Sequence, residues 1–335
     1  MSHQFYSLSS YRGGIISTVS SLAITILVCS CCSRFSNAQT GAPPERVTCA
    51  VFPQDNVWNT PVDNLPVDAN SAAYIASIGA ETGMHPDFAS APWRGHPIGI
   101  PYALVPGTQP KVRASFRYSE ESDPGPYPIP PNVPIEGGAD SKGDRHVTVI
   151  DKDNCILYEL YGASPKGDGN WTAASGAIFD LKSNKLRKLG WTSADAAGLP
   201  VFAGLVRYDE AATGEIRHAL RFTAPKTRKD YVWPATHFAS RFADSQYPPM
   251  GQRFRLKASF DISGFSREVQ AILKALKKYG MFLADNGGPW FLSGTPDPRW
   301  DDNQTHELRR VHGSDFEAVD EFSLRADSRS GQVKH

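Results

Sequence analysis

Five side chains in this sequence pair acid–base chemistry with strand-like surroundings: His218, His146, Glu159, Asp180 and Asp285. His218 alternates with Ile216, Leu220 and Phe222, so a strand over 216–223 turns it toward the core or a cleft. There it serves as a base in a pocket or as a hydrogen-bonded core histidine. Arg217 and Arg221 fall on the opposite face, where arginines are ordinarily solvated, and Arg221 is the one suited to grip a carboxylate. His146 shares a face with Thr148 and Ile150, and Glu159 is flanked by Leu157 and Tyr161 on the following run. A carboxylate among apolar neighbours has a raised pKa and suits a general acid; the structural alternative is an exposed edge residue. Asp180 closes the run 175–180. Asp285 opens Asp285-Asn286-Gly287-Gly288, where an aspartate ordinarily serves turn geometry. Tyr231, Trp233 and His237 lie within seven residues, as a stacking platform for sugar rings or as core aromatics. The chemistry these types could perform together is proton transfer on a polysaccharide. His218 or His146 would be the base and Glu159 or Asp180 the acid, with Arg221 holding an anion.

Sharper signatures are missing. No Gly-x-Ser-x-Gly, His-Glu-x-x-His, phosphate loop or Cys-x-x-Cys occurs after residue 38, so no nucleophile or cofactor is implied. His146, His218 and His237 lack metal-ligand spacing, so no metal is expected.

The elements that must position these residues read as mainly β. Residues 146–150 and 155–161 flank the polar turn Asp151-Lys152-Asp153-Asn154, which predicts a hairpin. Further strands are expected over 111–118, 177–181, 216–223 and 253–261, with a one-turn helix at 193–197 closed by Gly198. Residues 281–292 suggest a second hairpin around the turn that begins at Asp285. A short helix is expected over 70–78, capped by Asn70. One long helix is predicted at about 266–279: Ser266 can cap it, Val269, Ile272, Leu273 and Leu276 form its stripe, and Gly280 stops it. Prolines recur from 86 to 134 and rule out helices there, while Trp93, Tyr102, Phe116 and Tyr127 supply material to dock on a sheet. The expectation is an antiparallel β-sandwich or jelly roll with the helix packed outside. Residues 39–322 would form one domain, with a proline-rich part (39–138), a core (139–322) and a disordered tail (323–335).

The first 38 residues have the layout of a secretory signal: Arg12, an apolar stretch over 15–28, and the small-residue exit Ser36-Asn37-Ala38. The apolar stretch is too short for a membrane span of about 20 residues. A minor alternative is lipid anchoring through Cys31. Cys49 and Cys155 remain after removal, an even pair for an oxidising compartment, and are expected to form a disulfide. Lys plus Arg and Asp plus Glu both number 35. Losing Arg12 and Arg34 leaves a formal charge of −2, which argues against a nucleic-acid partner. Asn170-Trp171-Thr172 and Asn303-Gln304-Thr305 are sequons.

From 143 to 320 the chain resembles a group of secreted, mostly bacterial proteins. The matching pieces are Gly143-Asp144-Arg145-His146, Leu157-Tyr158-Glu159-Leu160, Gly190-Trp191-Thr192-Ser193-Ala194 and Ile216-Arg217-His218-Ala219-Leu220. Arg255-Leu256-Lys257 and the run Ala275-Leu276 through Tyr279-Gly280 to Ala284-Asp285-Asn286-Gly287 complete the pattern. The resemblance implies export and a contiguous domain, and it carries no catalytic role. The expectation is a secreted carbohydrate-active enzyme that cleaves a polysaccharide by hydrolysis or elimination. The alternative is a non-catalytic extracellular glycan-binding or adhesion protein.

Overall fold

The β-branched run Val147–Asp151 and the aromatic run Ile156–Tyr161 pair antiparallel across the polar turn, with Val147 opposite Leu160 and Thr148 opposite Glu159. These strands come from a computed structural model that describes residues 42–334. The expected signal segment and Cys31 lie outside the described residues. The hairpin is the centre of a four-stranded sheet ordered Tyr102–Val105, Val147–Asp151, Ile156–Tyr161, Ser175–Asp180. Alternation along it serves two separate cores. Ile150, Leu157 and Phe179 join the main cluster, while Val147, Val149, Tyr158 and Leu160 join a second one with Tyr127 and Trp171. The sheet is therefore covered on both faces, and Glu159, on the side of Leu157, is fully buried.

The main core is carried by a six-stranded sheet ordered His85–Asp87, Phe291–Ser293, Leu220–Ala224, Met281–Asn286, Arg253–Leu256, Phe316–Ala318. A third, small sheet joins Ala114–Phe116, Trp171–Ala173 and Ser164–Pro165. The chain is mostly sheet with few helices. Each sheet mixes parallel and antiparallel pairs, which corrects the all-antiparallel expectation. The second expected hairpin is also overturned. Met281–Asn286 and Phe291–Ser293 do not pair with each other, because Leu220–Ala224 lies between them, parallel to the first and antiparallel to the second. Residues 193–197 form bends and turns rather than a helix.

The helix expected at 266–279 spans Arg267–Lys278 and is of ordinary length, three turns rather than long. It buries Val269, Ile272, Leu273 and Leu276 as the spacing requires. Its cap differs from the expectation. The Ser266 hydroxyl makes no cap bond, and the backbone amide of Ser266 instead donates to Glu307 Oε2 at 2.7 Å. Gly280 ends it with φ +64, where a Cβ would lie 2.3 Å from the Phe254 carbonyl oxygen. The short helix is Ser71–Ile78, without a side-chain cap from Asn70.

Cys49 and Cys155 form the expected disulfide, with Cα atoms 5.6 Å apart, tying the N-terminal arm to the central hairpin. The tail expected to be disordered is instead laid onto the body. Ser330 bridges to Lys185, Gln332 to Asn56 and Val333 to Arg325, and Val333 is buried. Its backbone groups find partners, and Val333 brings apolar surface to bury. Among the described residues no helix is long and apolar enough to cross a membrane.

Candidate active site

Asp285 is the residue on which the polar side chains converge. It sits near the end of Met281–Asn286, where the pairing with Leu220–Ala224 slips between Leu283 and Asp285. That irregularity sets Ala284 aside, its carbonyl accepting from the Ala197 amide at 2.9 Å, and re-aims the next side chain. Asp285 then lines two cavities. One, of about 220 Å³, is lined by Asp87, Glu136, Asp144, His146, Arg221 and Phe291 among others. The other, of about 340 Å³, is lined by Tyr118, Glu121, Tyr161, Asp195 and His237 among others. Burial, then the nearby Asp195 charge, push the Asp285 carboxyl up to about 7 in spite of Arg221. Asp87 ends the strand that pairs with Phe291–Ser293. Burial, then Glu136, raise its carboxyl to about 6.

Two buried ion pairs wall this cleft. His146 Nδ1 donates to Glu136 Oε2 at 2.6 Å and its Nε2 donates to the Ala194 carbonyl at 2.9 Å, so both nitrogens carry protons. Burial alone would lower its pKa, but the Glu136 carboxylate raises it to about 9. His146 is therefore an imidazolium clamp at neutral pH, an arrangement that does not favour the expected role as a base. Arg221 Nε donates to Asp195 Oδ2 at 3.1 Å and Nη1 to Ser293 Oγ at 2.6 Å. Arg221 is buried rather than solvated, and Asp195 keeps it charged against the cost of burial. Its guanidinium is thus committed to the protein rather than offered to a substrate anion. Among the described residues, Asp195 Oδ1 is buried without a hydrogen-bond partner.

Other expected site residues lie apart from the cleft or are already occupied. Glu159 is buried as a raised-pKa acid should be, and burial does raise it. Both its oxygens are taken, however, accepting from the Val201 amide at 2.9 Å and the Phe202 amide at 2.8 Å. It holds the start of the turn Phe202–Gly204, a positioning task rather than proton transfer. Asp180 is exposed at a strand end and receives the Lys182 amide, so it is a turn residue. His218 precedes the strand Leu220–Ala224 and does not join Glu159 and Asp285. Its Nδ1 donates to the Ala219 carbonyl at 2.8 Å, and its Nε2 lies 2.8 Å from Arg207 Nη2 and 3.1 Å from Glu210 Oε2. That is the core histidine of the structural alternative.

Tyr231 and Trp233 share a separate cavity of about 410 Å³ with Phe322 and Arg325. His237 is the one aromatic-segment residue that reaches Asp285. It stacks on Phe238 at 5.7 Å, which stacks on Tyr231 at 6.4 Å. Sequence reasoning missed Asp87, Glu136, Asp144, Asp195, Tyr118 and Tyr161. The two tyrosines and Asp144 stand beside segments it had singled out, whereas Asp87 and Glu136 lie in the proline-rich part, where no periodicity marks an inward face. Among the described residues, no group of three or more His, Cys, Asp or Glu side chains is arranged to hold a metal ion. No family model, no curated protein and no solved structure matches the chain.

Proposed function

We propose that the chain, exported through the signal at residues 1–38, is an extracellular hydrolase that cleaves a polysaccharide at Asp285. The observation that carries this reading is the carboxyl of Asp285, raised to about 7 and shared by two adjoining cavities. A proton donor between two cavities has room for a sugar on each side, as cleavage within a chain requires. Phe291 and Ile100 in one cavity, and Tyr118 and Tyr161 in the other, offer apolar faces to pyranose rings. In this mechanism Asp285 protonates the glycosidic oxygen while Asp87, ionised above about 6, takes the proton of the attacking water. Both roles are filled together between about pH 6 and 7, so kcat/KM follows a narrow bell with limbs set by Asp87 and Asp285. His146 and Arg221 hold the cleft in shape through Glu136 and Asp195, and neither is a base. Hydrolysis is favoured over elimination because, among the described residues, the two cavities are lined by no lysine and by one arginine, Arg221, which is paired with Asp195.

The test is a polysaccharide panel scored for new reducing ends across pH, with Asp285→Asn beside the parent. Turnover should fall by about 10²–10⁴ in the variant. It should melt no lower at pH 8, because a carboxylate disfavoured by burial has been removed. Full turnover in the variant would sink the mechanism. Retention of a glycan with no new reducing or unsaturated ends would favour the binding-protein reading, for which Tyr231 and Trp233 in their separate cavity are the platform.

A further inference from the structure

We infer that the glycan taken by the cleft at Asp285 carries free amines, a protonated amino sugar filling the cavity beside Asp87 and Asp144. The inference deepens the polysaccharide reading and rests on it. Its basis is a count of charge after the internal pairs are removed. In the 220 Å³ cavity, His146 is neutralised by Glu136 at 2.6 Å, and Arg221 by Asp195 at 3.1 Å. What remains facing the space is Asp87 and, at the exposed rim, Asp144, beside Asp285, which holds its proton below about pH 7. Among the described residues, no hydrogen bond or ion pair reaches the carboxylates of Asp87 or Asp144, and that of Asp285 receives only the amide of Asn286. No lysine lines either cavity, and Arg221 is the one arginine. His85 is stacked on Phe291 at 4.1 Å, and burial and then Arg309 lower its pKa, which disfavours a cation there.

A second observation points the same way from the adjoining cavity. Asp195 has a side chain with no exposure and lines that space, yet its Oδ1 has no partner among the described residues. Glu121 and Asp285 lie with it; Glu121 Oε2 accepts the Thr192 amide at 3.2 Å and lies 3.6 Å from His237 Nε2. A buried carboxylate oxygen left without a donor, as Asp195 Oδ1 is, is costly, and an ammonium group supplies three donors. A uronate or sulfated sugar would bring further negative charge into the same space. A neutral sugar would leave Asp87, half-buried and unpartnered, without a counter-charge.

The test is calorimetric binding of three hexamers to the whole protein near pH 6: glucosamine, N-acetylglucosamine and galacturonate. Product analysis of the same mixtures accompanies it. The glucosamine hexamer should bind at least about tenfold tighter than its acetylated counterpart, with galacturonate weakest, and salt should erode the difference. Asp144→Asn, an exposed rim position outside the proton-transfer pair, should narrow the glucosamine preference several-fold while leaving N-acetylglucosamine affinity unchanged. Equal or tighter binding of either other hexamer, no binding of the glucosamine hexamer, or an unchanged preference in Asp144→Asn would overturn the inference. The two readings fail separately. Tight glucosamine binding without new reducing ends removes the hydrolase and keeps the amine specificity, whereas cleavage of a neutral glycan without amine preference does the reverse.

Discussion

Replacing His146 by Gln should flatten the stability of this protein on the alkaline side of neutrality. In the folded chain the imidazolium donates from both nitrogens, to Glu136 and to the Ala194 carbonyl, and its pKa rises from 6.5 to about 9. Between those values the folded state holds a proton that the unfolded state has lost, so stability must fall as pH rises. The contribution is complete below about pH 6.5 and gone above about pH 9. At 1.36 kcal/mol per pKa unit it amounts to about 3 kcal/mol. Asp285, Asp87 and Glu321 also have raised folded values, and they too lower stability with rising pH. Their effect ends near pH 7, and all three are present in both proteins. Subtracting the variant's urea-unfolding curve from that of the parent removes what the two share and leaves the histidine together with its smaller influence on Asp285, Glu159 and Asp195. The assay is unfolding free energy at half-unit steps from pH 6 to 10, with the disulfide intact. The parent should lose about 3 kcal/mol more than His146→Gln across that range, although the variant begins less stable. Parallel curves would show that the Glu136–His146 contact does not hold the proton, and the imidazolium assignment would be wrong.

Two further outcomes follow from the structure. His218→Ala leaves a small cavity and strips a partner from Arg207 and Glu210, so it should cost roughly 2–4 kcal/mol without lowering the turnover of the folded fraction; a variant that melts like the parent but has lost all turnover would return His218 to the catalytic site. Reducing Cys49–Cys155, which closes a sequence separation of 106 residues, should lower stability by about 4–5 kcal/mol on the chain-entropy account, while two thiols titrating in denatured, unreduced protein would refute the pairing.

What the sequence made legible was whatever its local chemistry determines. The helix Arg267–Lys278 follows from a stripe at 3.6-residue spacing and a glycine stop. The hairpin from 147 to 161 follows from two β-prone runs around four polar residues. The failures share one cause, the arrival of a distant segment. Asp285-Asn286-Gly287-Gly288 reads as a hairpin turn, but Leu220–Ala224, some sixty residues earlier in the chain, inserts between the two strands. Arg217 and Arg221 read as a solvated face, yet Arg221 is buried, as is Arg253 on another strand of the same sheet. Arg253 donates to the carbonyls of Tyr279, Val57 and Thr60 and to Glu321. A strand alternates hydrophobic-in and polar-out only when one face meets water, and here both faces are covered.

The candidate site obeys the same limit for a more particular reason. Glu159 and Asp285 are both carboxylates in strands beside apolar neighbours, and burial raises the pKa of each. The sequence offers Glu159 or Asp180 as the acid, with an exposed edge residue as the alternative for Glu159, and Asp285 as a further candidate whose alternative is turn geometry. The donors that reach each oxygen are what favour Asp285 over Glu159 in the proposed mechanism. Glu159 has a backbone amide on each of its oxygens, both delivered from forty residues downstream, and can neither give up a proton to a ligand nor receive one without breaking them. Asp285 receives one amide, that of its own neighbour Asn286, and opens onto two cavities. A raised pKa makes a carboxyl a chemically suitable acid, whereas an unfilled oxygen makes it an available one. Only the first condition follows from the residues on either side of it in a strand.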